Sequence, residues 1–481
     1  MNLSNWIHGD FVAPKEGKYL DNYDPATGEV FAQVPDSSAL DAVRAVQSAH
    51  KAGEEWAETT PRERARFLNR IADLIEERAE EFAQAESQDV GKPLWLAREV
   101  DIPRTVLNFR YFSALILTDT TTAADFDRKA LEYTLRSPVG VTALISPWNL
   151  PLYTLTFKIA PSLAVGNTAV CKPSELTPMT AHLLARVFAD AGLPPGVCNI
   201  IFGTGEGAGQ PLVQHPGVPL ISFTGGTETA EKIQQIAGPM LKRVSLELGG
   251  KNANIIFKDA DLKKALPMAV RASFLNSGQI CLCGSRLFIQ EGVYDEFMSE
   301  FRKLVREVKV GDPQDKDTFM GPLISRKHLE KVQAALLQSQ EEKGEITVGG
   351  LEPKGLPTRC AEGYFLEPTI IEKLTNCSDL WQREIFGPVV TVMKFKYAHE
   401  AVKWANTSSY GLSASLWTQD VSRAHNVAAQ LQVGTVWVNT WGLRDVRMPF
   451  GGVKKSGIGR EGGEESLRAY TETKTVCVQL S

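Results

Sequence analysis

The chain has 481 residues, 43% of them hydrophobic and 23% charged, with a formal net charge of −5. Single cores stop growing at roughly 250–300 residues, so at least two domains are expected, within the composition range of a soluble globular protein. The slight acidity and the lack of a long basic run exclude a nucleic-acid footprint, and no uninterrupted apolar stretch reaches the ~18 residues of a membrane span. The N-terminal segment 1–8 has no positive region followed by an apolar one, so no signal peptide is expected. Seven scattered cysteines argue for a reducing, cytoplasmic setting and against a disulfide framework. Cys281 and Cys283 are the only close pair, and with no second pair or nearby histidine no metal site is expected.

Along the chain, Thr60-Pro61-Arg62-Glu63 reads as a capping box with proline at the first helical position. Phe67, Ile71, Leu74, Ile75 and Phe82 then recur at helical spacing. Signals weaken over 107–130, and 130–136 alternates like a strand of a projecting hairpin. From 139 onward, buried strands at 139–145, 168–171, 198–202 and 220–223 alternate with helices. One helix starts near Thr177-Pro178, ends at Gly192, and turns Leu183, Leu184, Val187 and Phe188 inward. This alternation predicts an α/β fold with a doubly wound parallel sheet, which binds ligands at the carboxyl ends of its strands. A second α/β series runs through 253–257, 286–290, 389–395, 413–417 and 435–438. The stretch 338–363 is polar and Gly-rich and reads as a surface excursion. The strand-like 474–480 is expected to pair with another chain, because left alone it would expose an edge.

A cysteine after a Gly-containing turn, as in Asn276-Ser277-Gly278-Gln279-Ile280-Cys281, is expected near a helix N-terminus, whose dipole favours thiolate. Alone, Cys281 would read as an inert buried thiol. Its surroundings resemble the cysteine motif of the aldehyde dehydrogenase superfamily. Leu246-Glu247-Leu248-Gly249-Gly250-Lys251, 34 residues before the cysteine, looks like that family's glutamate motif. Pro147-Trp148-Asn149, Lys172-Pro173-Ser174-Glu175, Glu384-Ile385-Phe386-Gly387-Pro388 and Pro449-Phe450-Gly451-Gly452 look like further family motifs, in family order across nearly the whole chain.

The resemblance implies an NAD-dependent oxidation of an aldehyde to an acid. Cys281 is then the nucleophile, Asn149 and the backbone N–H of Cys281 hold the oxyanion, and Glu247 is the general base for hydrolysis of the thioester. It implies an NAD cleft lined by Ile145, Ser146, Pro147 and Trp148, with Lys172, Ser174 and Glu175 toward the adenine-side ribose. Gly205 and Gly209 lie in a glycine cluster that is a weak signal by itself. Phe223, Thr224, Gly225, Gly226 and Thr229 flank the dinucleotide, Leu248 and Gly249 adjoin it, Glu384 holds the nicotinamide-side ribose and Phe386 packs nearby. The family often has serine where Gly226 stands and glycine where Ala230 stands, so a hydroxyl contact to phosphate is absent here. A carboxylate at Glu175 predicts NAD over NADP. The implied organisation is a Rossmann-like NAD domain (1–116 and 138–249), a catalytic domain (250–450) and an oligomerisation arm (117–137 and 460–481), forming a homodimer or homotetramer.

Within the family the chain looks most like the 2-aminomuconic and 2-hydroxymuconic semialdehyde dehydrogenases. The carrying residues are Asp101-Ile102-Pro103-Arg104, Asn108-Phe109-Arg110-Tyr111-Phe112, the stretch 145–153 and Ile280-Cys281-Leu282-Cys283. Such substrates bear a carboxylate opposite the aldehyde, and the resemblance points to Arg104 and Arg444 as its clamp. The plainer alternatives are that Arg104 is a surface helix residue and that Arg444 pairs with Asp445. Betaine aldehyde, succinic semialdehyde or an aliphatic aldehyde are alternative substrates. Acyl transfer to coenzyme A and a non-catalytic NAD-binding or structural role are alternative functions.

Overall fold

The computed structural model describes residues 1–480. Its first sheet has eight strands in the order Asp10–Val12, Asn5–Ile7, Cys198–Ile200, Thr168–Lys172, Val141–Ile145, Leu220–Thr224, Arg243–Glu247 and Gly457–Ile458. The five inner strands run parallel, and the outer ones are antiparallel. Val141–Ile145 and Thr168–Lys172 are buried at every residue, which is why they read as continuous apolar runs and not as alternating ones. Leu144, Ala169 and Cys171 pack toward Phe109, Leu155, Leu184 and Phe188 of the helices on one face. Ala143, Ile145, Val170 and Ile221 pack toward Ala45, Leu212 and Ile233 on the other.

The second sheet has seven strands in the order Glu345–Val348, Thr369–Glu372, Val389–Phe395, Arg286–Gln290, Ala253–Ile256, Ser413–Trp417 and Thr435–Val438. All pairings are parallel except that of the edge strand Glu345–Val348. Only the segment 248–252 separates Glu247, the last residue of the strand Arg243–Glu247 in one sheet, from Ala253, the first strand residue of the other. A third, three-stranded sheet joins Ala123–Phe126, Ala130–Pro138 and Thr471–Gln479. Among the described residues no helix is long and apolar enough to cross a membrane, and no group of His, Cys, Asp and Glu is placed to hold a metal ion.

The capping box forms as expected: Glu63 N–H donates to Thr60 Oγ1 at 3.2 Å and Thr60 N–H to Glu63 Oε2 at 2.8 Å. That helix ends at Glu77, however, and Phe82 belongs to the next one, Ala79–Val90. The region 338–363 is not merely an excursion, since it holds the end of the helix Arg326–Glu341 and the edge strand Glu345–Val348. The C-terminal strand pairs with Ala130–Pro138 of its own chain over nine residue pairs, Thr471 against Pro138 to Gln479 against Ala130. A partner was therefore needed for this strand, as the edge-strand reasoning requires, but this chain supplies it on one side. The three- to six-residue strands before residue 36 went unread, being too short to show periodicity.

Candidate active site

Ile145, Lys172 and Thr224 are the last residues of three neighbouring parallel strands, and all three line one cleft of about 580 Å³. Ser146, Pro147, Trp148, Ser174, Glu175, Gly205, Gly209, Phe223, Gly225, Gly226 and Thr229 complete the wall anticipated from sequence. Leu248, Gly249, Glu384 and Phe386 lie outside that wall. Phe386 reaches its end, packing edge-on against Trp148 at 5.3 Å. Thr204 and Glu206 lie within the glycine cluster expected beside the dinucleotide, and sequence reading missed Gln210, Val213, Lys232, Ile233 and Ile236. The last three were findable, because with Thr229 they fall at i, i+3, i+4 and i+7 on the helix Thr227–Ala237.

The cleft fits a dinucleotide. Gly226 is the N-cap of the helix Thr227–Ala237 and offers no side-chain cap, so the first N–H groups of the helix are open to a phosphate. A Cβ added at Gly205 or Gly226 would touch no protein atom within 4 Å, so packing does not require glycine there; the open space is on the ligand side. Lys172 Nζ donates to Glu175 Oε2 at 2.9 Å, at the mouth of the same cleft. His328, also unforeseen, holds the Phe386 carbonyl through Nε2 at 2.7 Å and lies edge-on to Trp148. Burial lowers its pKa to about 4, so the ring is neutral and Nε2 carries the proton it donates.

Cys281 does not sit at a helix N-terminus. The chain leaves the helix Leu262–Phe274 through left-handed Asn276 (φ +52°), Ser277 (φ +57°) and Gly278 (φ +68°), and the cysteine follows in a loop. A Cβ at Gly278 would lie 2.1 Å from the Gly387 carbonyl oxygen, so glycine is required for this loop to meet the one carrying Glu384 and Phe386. Cys281 keeps partial exposure while Cys283 is buried. Instead of a stabilised thiolate, the Cys281 thiol is pushed up to about 12, first by burial and then by the charges of Glu384 and Glu247, with Arg444 opposing.

Asn252 anchors this loop. Its Nδ2 donates to the carbonyls of Cys281 at 2.6 Å and Cys283 at 2.9 Å, and its Oδ1 accepts from Ser413 N–H at 3.0 Å. Asn149 is buried, with one amide hydrogen directed to the Gln279 carbonyl at 2.8 Å, which leaves the second hydrogen of Nδ2 for another acceptor. Glu247 is 4% exposed, and neither carboxylate oxygen has a hydrogen-bond partner among the described residues. Gly451 (φ +153°) makes room for it: a Cβ there would fall 2.7 Å from Glu247 Oε1. Gly249 likewise makes room for Glu384, whose Oε1 accepts from Gly250 N–H at 2.8 Å. Burial raises Glu384 to about 7.

Burial, then the charge of Glu461, holds Glu247 well above the usual carboxylate range, with Lys158, Arg444 and Arg460 opposing. Glu461 Oε1 accepts from Lys158 Nζ at 2.6 Å and from Ser222 Oγ at 3.1 Å, a buried cluster that sequence reading missed. Arg444 does not pair with Asp445, whose carboxylate is taken by Arg447 at 2.9 and 2.6 Å. Arg444 Nη1 instead donates to Tyr153 Oη at 2.6 Å, with its guanidinium 3.7 Å from the Phe450 ring centre and 4.7 Å from that of Phe157. Its Nε and Nη2 are buried without partners. Arg104, half-buried, lies 5.9 Å over the same Tyr153 ring.

Residues 11–476 match the family model described as the aldehyde dehydrogenase family. The chain is 49% identical over 479 residues to the 2-aminomuconic semialdehyde dehydrogenase of Bos taurus, covering 99% of this chain and 98% of that one. It is 43% identical over 484 residues to the 2-hydroxymuconic semialdehyde dehydrogenase of Pseudomonas sp. (strain CF600), covering 99% of each. The NAD+ complex of an aldehyde dehydrogenase from Bacillus cereus superposes with a TM-score of 0.97 at 40% identity, over 100% of this chain and 97% of that one.

Two outcomes are expected. Asn252→Ala leaves two buried carbonyls unpaired, at about 1–3 kcal/mol each, and lowers kcat; Asn252→Asp does not rescue it, because a carboxylate cannot donate. A normal kcat in either variant, measured by NADH formation, would show that the anchor is dispensable. Glu461→Gln removes the charge that helps keep Glu247 protonated, so the acid limb of the kcat profile moves to lower pH. A pH titration of turnover reads this directly, and a limb that stays put or moves upward contradicts it.

Proposed function

The chain belongs to the aldehyde dehydrogenase family and is an NAD-dependent enzyme of that kind, and on this premise we propose that its substrate is a semialdehyde bearing a carboxylate, of the 2-aminomuconic or 2-hydroxymuconic type. The observation that carries the proposal is the pair Arg104 and Arg444. Both converge on Tyr153, neither has a carboxylate partner among the described residues, and Arg444 keeps two buried donor atoms unpaired. A buried cation with open donors is stabilised by an anion that brings its own acceptors, and a guanidinium matches both oxygens of a carboxylate. A cationic substrate such as betaine aldehyde would meet two like charges in the same place.

In this reading Cys281 gives up its thiol proton to water and attacks the aldehyde carbon as thiolate, and the free Nδ2 hydrogen of Asn149 with the Cys281 N–H stabilises the oxyanion of the thiohemiacetal. NAD, when bound, accepts the hydride; Lys172 and Glu175 would hold its adenine-side ribose and Glu384 the other. The thioester on Cys281 is then hydrolysed by water that Glu247 deprotonates. In its protonated state Glu247 is withheld from that role, and loss of its proton arms it. A base for water suits hydrolysis better than acyl transfer to coenzyme A. The sheet formed by Ala123–Phe126, Ala130–Pro138 and Thr471–Gln479 keeps an open edge at its last strand and exposes Leu131, Leu135 and Val478, which supports an arm that docks a second copy.

Arg104→Ala and Arg444→Ala are each expected to raise KM for 2-hydroxymuconic semialdehyde roughly ten-fold or more, the worth of a charge-assisted contact, and to leave KM for an uncharged aldehyde of similar length unchanged. An unchanged KM for the charged substrate in both variants would remove the reason for naming it. Glu175→Ser should bring NADP turnover toward that with NAD; a wild-type enzyme equally efficient with both would contradict the role given to Glu175.

A further inference from the structure

The helix Ile102–Leu115, which carries Arg104, does not begin as an ordinary α-helix. It is preceded by a π turn, Ala97–Asp101. A π turn holds about one residue more than an α turn, so side chains beyond it are rotated by roughly 100° from where an uninterrupted helix would aim them. The last residue of that turn, Asp101, is 2% exposed, and its Oδ2 accepts from Lys92 Nζ at 2.7 Å. Lys92 is itself buried and donates also to Glu86 Oε1 at 3.2 Å. Buried ion pairs add little net stability, and their best-attested use is to fix registry. Nothing in the chemistry above uses this cluster.

Its surroundings say what it fixes. Val100, one residue before Asp101, packs in the cluster of Leu275, Ile280 and Leu282 that flanks Cys281. The same cluster contains Trp441, whose Nε1 donates to the Leu282 carbonyl at 2.9 Å and whose loop carries Arg444. One turn beyond Arg104, Asn108 Nδ2 donates to the Tyr153 carbonyl at 3.2 Å and to Thr156 Oγ1 at 3.0 Å. The Asp101 carbonyl accepts from Thr105 Oγ1 at 2.9 Å. The turn bearing Arg104 is thus held at both ends.

We propose that Asp101, through its buried pair with Lys92, is a positioning residue for substrate selection: it locks the π turn that aims Arg104 at Tyr153. The inference rests on the reading of Arg104 as part of the carboxylate clamp. It is tested by kcat/KM for 2-hydroxymuconic semialdehyde and for an uncharged aldehyde of similar length, measured on the same preparation of Asp101→Asn, Lys92→Met and Arg104→Ala. The ratio of the two values cancels the fraction of enzyme that has folded. The expected result is that Asp101→Asn and Lys92→Met lower this ratio about as far as Arg104→Ala does, roughly ten-fold or more, through KM and not kcat. Combining Asp101→Asn with Arg104→Ala then gives no further loss. A ratio left at the wild-type value in Asp101→Asn or Lys92→Met, while Arg104→Ala collapses it, overturns the inference and spares the clamp. A ratio unmoved by Arg104→Ala removes Arg104 from the clamp, and overturns this inference with it. Should neither charge variant yield folded enzyme, Asn108→Ser, which loosens the other end of the same turn, is held to the same standard.

Discussion

The side chain of Asn252 sits where the two sheets meet, and much of the site hangs on it. Two donors and one acceptor leave a buried amide, and they go to the carbonyls on either side of Leu282 and to the first residue of the strand Ser413–Trp417. The segment that joins the sheets is thereby tied to the loop of the proposed nucleophile and to the core of the second sheet. A charged residue could not replace it, since carboxylates only accept and ammonium groups only donate. With this loop fixed, the close approaches around it become possible: Glu384 over Gly249, Glu247 beside Gly451, and Gly278 against Gly387.

Those approaches crowd the site, and burial sets the proton affinities in it. Burial is the first cause that raises the proton affinity of the Cys281 thiol and of the Glu247 and Glu384 carboxyl groups; the two carboxylates raise the thiol further, and Glu461 raises Glu247 further. Arg444 acts against this drift for both Cys281 and Glu247. The same guanidinium presents its free donors toward the place proposed for the substrate carboxylate. In the proposed reading, charge at the far end of the substrate and proton affinity at the reacting end are joined through one residue.

The parts of the fold legible in the sequence are those decided by local periodicity. The inner strands, the capping box at Thr60 and the helix Met179–Asp190 were readable because burial on both faces, or a fixed i, i+3 offset, leaves a local trace. The cleft residues at strand ends were readable as motifs. What was not legible joins residues far apart in sequence: Lys158 to Glu461, 303 positions away, or Asn149 to Gln279, 130 away. The expectation of a helix dipole at Cys281 failed for a local reason. Asn276 and Ser277 both adopt left-handed backbone, where asparagine is tolerated but serine gives no advance notice, and this turns the chain away from any helix start.

The glycines of the site fall into two kinds with different evolutionary visibility. At Gly278 and Gly451 a methyl group would strike backbone atoms of a facing loop, so a change there disturbs folding itself. At Gly205 and Gly226 it would strike nothing. A selection that scores only abundance or solubility would accept many residues at those two positions and pass over them as neutral. Only a selection that also scores cofactor use would register them, so the two kinds of screen, run side by side, would trace the outline of the cleft without any ligand being seen.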